Sequence, residues 1–181
     1  MGLDKAALPA GDGTLIEHLA RRLAPVVDEI IVAGGSAELR LEGVRPAADR
    51  DAGLGPLSGI HAGLTAARHP HAFVVACDLP DVEPALVTLL QELAGPYEAV
   101  VPRVDREPEG VCALYARTIA SRVEALLDAG ERSVKTLLAA THVRYVGREE
   151  LFAVDPELRS FRNLNTPADY QAWIREQPAS R

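Results

Sequence analysis

The sequence predicts an α/β fold with three layers, in which a mainly parallel sheet lies between two layers of helices. Apolar runs rich in Val, Ile and Ala alternate along the chain with amphipathic segments, which is the pattern of a sheet covered on both faces. The chain has 181 residues and 48% of them are hydrophobic, which suffices for one domain with a sizeable core. No repeat or long linker divides it, so we expect a single domain over residues 1–181.

Each predicted strand is a short apolar run, and each predicted helix has apolar residues at helical spacing. The expected strands are Glu29–Val32, Ala72–Cys77, Glu98–Val101, Val111–Tyr115 and His142–Val146. The expected helices are Leu15–Leu23, Leu57–Ala67, Pro84–Leu93, Ile119–Leu127, Val134–Ala139 and Ala168–Arg175. The charged segment 104–110 contains Pro and Gly, and we expect an exposed connection or a hairpin there.

The charge of the chain excludes some classes of partner. Its formal net charge is -7, whereas binding to nucleic acid or to an anionic membrane needs clustered Lys and Arg. An anionic ligand must therefore be held by a local site. No apolar run reaches the roughly 18 residues of a membrane span, and no secretory leader is evident. We expect a cytoplasmic protein.

The two cysteines, Cys77 and Cys112, lie inside apolar runs without CxxC spacing or nearby histidine pairs. We expect small buried side chains, neither metal ligands nor a disulfide.

Asp78 is the leading candidate for a metal ligand. It directly follows the apolar strand that ends in Cys77, and ligands of open α/β sheets bind outside the carboxyl ends of the strands. Mg²⁺ takes one or two protein carboxylates and completes its shell with phosphate oxygens and water. The alternative is an aspartate that caps the next helix, but Asp81 lies nearer to that helix and suits the cap better.

The glycine-rich segment 49–63, DRDAGLGPLSGIHAG, leads through a Gly-Pro turn into a helix. Small residues allow the backbone to approach a ligand, and free amides at a helix start favour an anion. The alternative is a tight turn in which Gly59 and Gly63 pack the helix onto the sheet. Asp49 and Asp51 precede the turn, and solvation at the surface is the simplest role for both.

Three further polar residues stand out near the ends of the chain. Lys5 is either a solvated terminal lysine or a point charge for phosphate that neutralises a leaving pyrophosphate. Asn163 and Asn165 are the only asparagines of the chain, and Asn can recognise a polar heterocycle or phosphate. A simple turn is the alternative for them, because Thr166 is a good N-cap with Pro167 at the first helical position.

Four segments in this order, MGLDK, DRDAGLGPLSGIHAGL, VVACDLP and FRNLNTPADY, resemble the molybdenum cofactor guanylyltransferase (MobA) family, and the resemblance spans nearly the whole chain. It implies a Rossmann-like nucleotidyltransferase that transfers GMP from GTP to the phosphate of molybdopterin. The products would be the guanine dinucleotide cofactor and pyrophosphate. Transient contacts with other proteins of cofactor biosynthesis would be consistent with that role.

The resemblance also implies roles for the candidate residues. Lys5 would contact the GTP phosphates, Asp49 would contact the guanosine nucleotide, and Asp78 would hold Mg²⁺. Asn163 and Asn165 would face the pterin substrate. A dedicated base is not required because the attacking phosphate is already anionic, so positioning and charge neutralisation suffice.

One departure from the family pattern concerns the first strand. In the family, a strand and a Gly-rich nucleotide loop precede the segment that matches MGLDK, whereas this sequence begins there. The segment 32–36, VAGGS, looks like that loop but follows Lys5, where the second strand of the family ends. Since the first strand of a doubly wound sheet is central, we expect two strand edges without a partner inside the fold and take Met1 as an internal methionine.

Two alternatives remain open on the sequence alone. One is a related nucleotidyltransferase that uses CTP or another acceptor, because the base-selecting loop is not in the sequence. The other is a non-catalytic module that binds pterin or a partner protein.

Overall fold

The computed structural model describes residues 5–34, 43–49 and 55–177. The strands in these ranges are β1 (Pro9–Ala10), β2 (Gly13–Thr14), β3 (Ile30–Ala33), β4 (Val44–Ala47), β5 (His71–Val75), β6 (Ala99–Val104), β7 (Glu107–Pro108), β8 (Cys112–Ala116) and β9 (Val143–Val146). The helices are α1 (Leu15–Leu23), α2 (Pro56–Ala66), α3 (Pro84–Glu92), α4 (Ala120–Asp128), α5 (Val134–Ala139), α6 (Arg148–Phe152) and α7 (Pro167–Glu176). All five predicted strands and six predicted helices are present, with ends shifted by up to three residues.

Local sequence signals determine where two helices that border the site begin. Thr14 caps α1: its hydroxyl accepts from the Glu17 amide, and the Glu17 carboxylate accepts from the Thr14 amide. Thr166 and Asp169 form the same reciprocal capping box at the start of α7. Each box satisfies amides that the first helical turn leaves without partners.

The larger sheet has the order β5-β8-β6-β7, and β9 pairs with β6 in parallel. β8 is antiparallel to both β5 and β6, so β5, β6 and β9 run in one direction and β8 in the other. The mainly parallel prediction therefore needs a correction to a mixed sheet. The cause is the predicted hairpin, because β6 turns back through β7 at Arg103–Pro108 and Val104–Glu107 before β8.

Helices cover both faces of this sheet and produce the predicted three layers. On one face, buried residues of α1 and α3, including Leu19, Leu86 and Leu90, pack in one cluster. On the other face, buried residues of α2, α4 and α5, such as Ile60 and Val123, form a second cluster. Cys112 is buried, as predicted, whereas Cys77 is only half-buried.

β3 and β4 pair in parallel and form a separate two-stranded sheet. The start of β3 lies beside the start of β5, because the Arg68 amide donates to Glu29 Oε1 at 2.7 Å. Among the described residues β3 pairs only with β4, and β5 only with β8. Within the described ranges the other edges of β3 and β5 have no strand partner, and both strands line the same cleft.

A cleft of about 500 Å³ separates these two edges. Its walls include β3 and β5, and its two faces are covered by α1 through Leu19 and by α2 through Gly59 and Gly63. A Cβ atom on either glycine would meet nothing within 4 Å. Gly59 and Gly63 therefore line the cleft with open space beside them.

The described ranges contain no helix long and apolar enough to span a bilayer.

Candidate functional site

Asp78 lies in the turn that follows β5, at the carboxyl end of that strand, as the sequence predicts for a ligand-binding carboxylate. The strand itself ends at Val75, two residues before its predicted end. The Leu79 amide donates to the Ala76 carbonyl at 3.1 Å, which closes the turn and carries the Asp78 side chain beyond the sheet.

The structure brings Lys5 to Asp78, across 73 positions of sequence. Lys5 Nζ lies 2.9 Å from Asp78 Oδ2, and the two side chains are 27% and 22% exposed. The neighbouring Ala6 is buried, which anchors the short 3-10 turn Lys5–Ala7. A cation and an anion that are both accessible at the end of a strand form a site able to bind a metal ion and a phosphate side by side.

α1 contacts the residues that follow Asp78 through two side chains four positions apart. The imidazole of His18 lies beside the Pro80 carbonyl, and its Nε2 is buried without a hydrogen-bond partner among the described residues. Arg22 donates to the Val82 carbonyl at 2.7 Å and to the Glu83 carboxylate at 2.8 Å. Burial lowers the pKa of His18, and the positive charge of Arg22 lowers it further. Both effects favour the neutral imidazole at neutral pH.

The C-terminal part of the chain holds the same turn from another side. The Leu164 amide donates to the Asp78 carbonyl at 2.9 Å, and Trp173 Nε1 donates to Asp81 Oδ1 at 2.9 Å. The expectation that Asp81 caps α3 is wrong, because Glu83 occupies the N-cap position and Asp81 accepts from the indole. The capping alternative considered for Asp78 also fails, since its carboxylate pairs with Lys5.

Asn163 and Asn165 flank Leu164, which is 1% exposed, while both asparagines are exposed. Because Leu164 is bonded to the Asp78 carbonyl, the exposed asparagines stand on the chain segment next to the metal-ligand candidate. The capping box of Thr166 explains the residues after them, and it leaves their side chains available for a ligand.

Asp49 lies on the other side of the cleft, just after β4 and against Gly34 at the end of β3. A Cβ atom on Gly34, whose φ is +74°, would lie 2.7 Å from Asp49 Oδ2, so only glycine permits this approach. Asp49 Oδ1 is buried without a hydrogen-bond partner among the described residues. Burial raises the pKa of this carboxyl. Asp51, Gly35 and Ser36 lie outside the described residues.

The donor set around Asp78 suits a hard divalent cation that a substrate helps to hold. Within the described ranges, no three His, Cys, Asp or Glu side chains form a group that could enclose a metal by themselves. A single accessible carboxylate fits Mg²⁺, which commonly takes one or two carboxylates and fills its other positions with phosphate and water.

Sequence reasoning did not find the roles of His18, Arg22 and Trp173. A signal was present for each: the two basic residues of α1 are four positions apart on one helix face, and Trp173 is the only tryptophan of the chain. The sequence does not show that these side chains of α1 and α7 lie at the same turn.

The profile of the MobA-like NTP transferase domain matches residues 1–145. The match covers most of the chain, and together with the three-layer fold it defines a nucleotidyltransferase. The chain belongs to the MobA-like NTP transferase domain family.

Individual relatives agree with this assignment. A probable molybdenum cofactor guanylyltransferase of Pelotomaculum thermopropionicum is 37% identical, over 93% of this chain and 83% of the relative. The molybdenum cofactor guanylyltransferase of Syntrophotalea carbinolica is 31% identical over 98% and 86%. The crystal structure of molybdopterin-guanine dinucleotide biosynthesis protein A from Archaeoglobus fulgidus superimposes with a TM-score of 0.81 at 29% identity, over 96% of this chain and 90% of that one.

Proposed function

We propose that this nucleotidyltransferase transfers GMP from GTP to the phosphate of molybdopterin, forming the guanine dinucleotide cofactor and pyrophosphate. The observation that carries the proposal is the pair of Lys5 Nζ and Asp78 Oδ2, 2.9 Å apart at the carboxyl end of β5. The names of the relatives, several of which are molybdenum cofactor guanylyltransferases, support GTP and molybdopterin as the substrates.

In this proposal Asp78 is the protein ligand of Mg²⁺, and the ion supplies charge neutralisation at the phosphates when it is bound. Lys5, whose ammonium group lies 2.9 Å from the same carboxylate, would contact the phosphates of the nucleotide as a charge-assisted donor. There Lys5 neutralises the charge that develops on the leaving pyrophosphate.

The transfer needs no proton abstraction by the protein. An oxygen of the molybdopterin phosphate forms the new bond to the α-phosphorus of GTP, and the bond from that phosphorus to the oxygen bridging to the β-phosphate breaks. The electron pair of the broken bond leaves with pyrophosphate. The residues of the chain therefore contribute by positioning and by charge.

The two substrates are assigned to different parts of the site. Asp49 contacts the nucleotide. Its buried Oδ1, which has no partner among the described residues, is an acceptor that a hydroxyl or N–H of a nucleoside would satisfy. Asn163 and Asn165 face the pterin, since their exposed amides lie on the segment bonded to the Asp78 carbonyl. The proposal places the enzyme in the cytoplasm, without nucleic-acid or membrane partners and with transient contacts to other cofactor-biosynthesis proteins. Its net charge of -7 supports the exclusion of nucleic acid.

Pyrophosphate release with molybdopterin, Mg²⁺ and either GTP, CTP or ATP tests the function. We expect release with GTP well above that with the other two nucleotides. A preference for CTP would indicate a related cytidylyltransferase. Binding of molybdopterin without release from any nucleotide would indicate a non-catalytic pterin-binding module, and either result would refute the proposal.

A further inference from the structure

Trp173 connects α7 to the turn that carries Asp78. The side chain is fully buried, and its Nε1 donates to Asp81 Oδ1 at 2.9 Å. Its ring also meets the ring of His18 edge-on, with the centroids 5.2 Å apart. Trp173 thus contacts one residue of the turn directly, and through its ring it contacts His18, which lies beside the Pro80 carbonyl.

The turn residues from Asp78 to Val82 are held at three points. The Asp78 carbonyl accepts from the Leu164 amide, the Asp81 carboxylate accepts from Trp173, and the Val82 carbonyl accepts from Arg22. Two of these donors come from the C-terminal segment and one from α1. The side chain of Asp78 itself is left to Lys5 and to solvent.

We propose that Trp173 and Asp81 are positioning residues, whose hydrogen bond fixes the turn so that the Asp78 carboxylate is preset for a metal ion. This inference rests on the proposed function, in which Asp78 is the metal ligand. Loss of either partner frees one end of a short turn, and a displacement of about 1 Å at a reacting centre can lower the rate by about 10²-fold. The hydrogen bond requires an acceptor oxygen at position 81. If residue 81 only packed beside α7, it would not need an acceptor.

The test compares four variants of the full chain. Asp81→Ala removes the acceptor and Trp173→Phe removes the donor, so the bond is broken from each end. Asp81→Asn keeps an acceptor oxygen. Tyr170→Phe is the matched control on the same helix, because the Tyr170 hydroxyl donates to the Pro9 carbonyl at 2.6 Å, away from the turn.

The direct readout is Mn²⁺ binding in the presence of GTP, followed by electron paramagnetic resonance, with circular dichroism to confirm folding at the assay temperature. We expect Asp81→Ala and Trp173→Phe to weaken Mn²⁺ binding about tenfold or more. Their kcat should fall by a similar factor with an unchanged KM for molybdopterin. Asp81→Asn and Tyr170→Phe should remain within about twofold of the wild type.

Wild-type Mn²⁺ affinity in folded Asp81→Ala or folded Trp173→Phe would overturn the inference, because the bond would then only pack the helix. An equal loss in Tyr170→Phe would overturn it as well, by showing that any weakening of α7 has this effect. An Asp78→Asn variant separates the two proposals: if it binds Mn²⁺ as the wild type does, the metal role of Asp78 fails, whatever Trp173 does.

Discussion

The two sides of the candidate site differ in whether their polar groups find hydrogen-bond or ion-pair partners within the protein. On the Asp78 side, the turn after β5 is bonded to Arg22 of α1, to the Leu164 amide and to Trp173 of α7, and the carboxylate already has Lys5 as its counter-ion. On the Asp49 side, across a cleft of about 500 Å³, a buried carboxylate oxygen has no partner among the described residues.

This difference separates a part of the site that is formed before the ligand binds from a part that the ligand completes. A pre-organised metal and phosphate side loses little entropy at the moment of reaction. An unsatisfied acceptor, by contrast, has a free-energy cost in the free protein that a bound nucleoside can remove. The comparison predicts large catalytic effects on the Asp78 side and a gain of stability from neutralisation on the Asp49 side.

The largest effect is expected for Asp78→Asn. Loss of the metal carboxylate removes several kcal/mol of transition-state stabilisation, so pyrophosphate release should fall by about a hundredfold or more. Thermal unfolding should change little, because an accessible ion pair contributes only about 0 to 1 kcal/mol. Unchanged turnover would remove Asp78 from the site.

Lys5→Ala should have the next largest effect. A charge-assisted hydrogen bond contributes about 1.5–3 kcal/mol, so GTP affinity measured by titration calorimetry should fall about ten- to a hundredfold. The other lysine of the chain provides the control: Lys135 is exposed and pairs with Glu107 at 2.7 Å, and Lys135→Ala should bind GTP normally. Equal effects of the two substitutions would show that only net charge matters.

Asn165→Ala should change the use of molybdopterin more than that of GTP. Loss of a neutral hydrogen bond of about 0.5–1.5 kcal/mol corresponds to a rise of about two- to tenfold in KM for the pterin. Gln171→Ala, at an exposed position of α7, is the control. If the pterin KM of the Asn165 variant stays at the wild-type value, the segment 163–166 is only a turn.

Asp49→Asn should produce the smallest effect, a modest rise in stability of the free protein at neutral pH. Burial raises the pKa of Asp49 in the folded state, so the folded protein binds more protons than the unfolded chain between the ordinary pKa of 3.8 and the raised value. Stability is therefore lost as the pH rises through that window. The substitution should remove this loss.

Chemical denaturation from about pH 3.5 to 7, around the ordinary pKa of aspartate, checks this prediction against Asp28→Asn, whose carboxylate is 83% exposed. Identical pH profiles for wild type and Asp49→Asn would show that the carboxyl gains no proton affinity on folding.

The sequence predicted the elements of the fold well because their signals are local. α1 and α5 were predicted with their observed ends, since apolar spacing marks them. The Pro and Gly after β6 predicted an exposed connection or a hairpin, and the structure has a hairpin there. α6 has five residues and was missed, as was β4, which contains Pro46 and Arg45 and lacks an apolar run. The reversal of β8 was also missed, because strand direction depends on which strands pair.

The site was predicted only in part for a similar reason. Position after a strand indicated Asp78, and resemblance to a family indicated Lys5, Asp49, Asn163 and Asn165. The donors to the Asp78 turn include Arg22 of α1 and Trp173 of α7. They lie 60 and 92 positions from their acceptors Val82 and Asp81, and no local pattern records such long-range contacts. The same holds for Asp81, whose local setting suggested a helix cap until the indole of Trp173 was found beside it.

The central claim, that Asp78 holds the metal ion that accompanies GTP, is tested most directly by the Mg²⁺ dependence of GTP binding. Titration calorimetry should show that Mg²⁺ strengthens GTP binding to the wild type and to Lys135→Ala, and that it does so far less in Asp78→Asn. An equal strengthening by Mg²⁺ in Asp78→Asn would contradict the account, because the metal would then be held without this carboxylate.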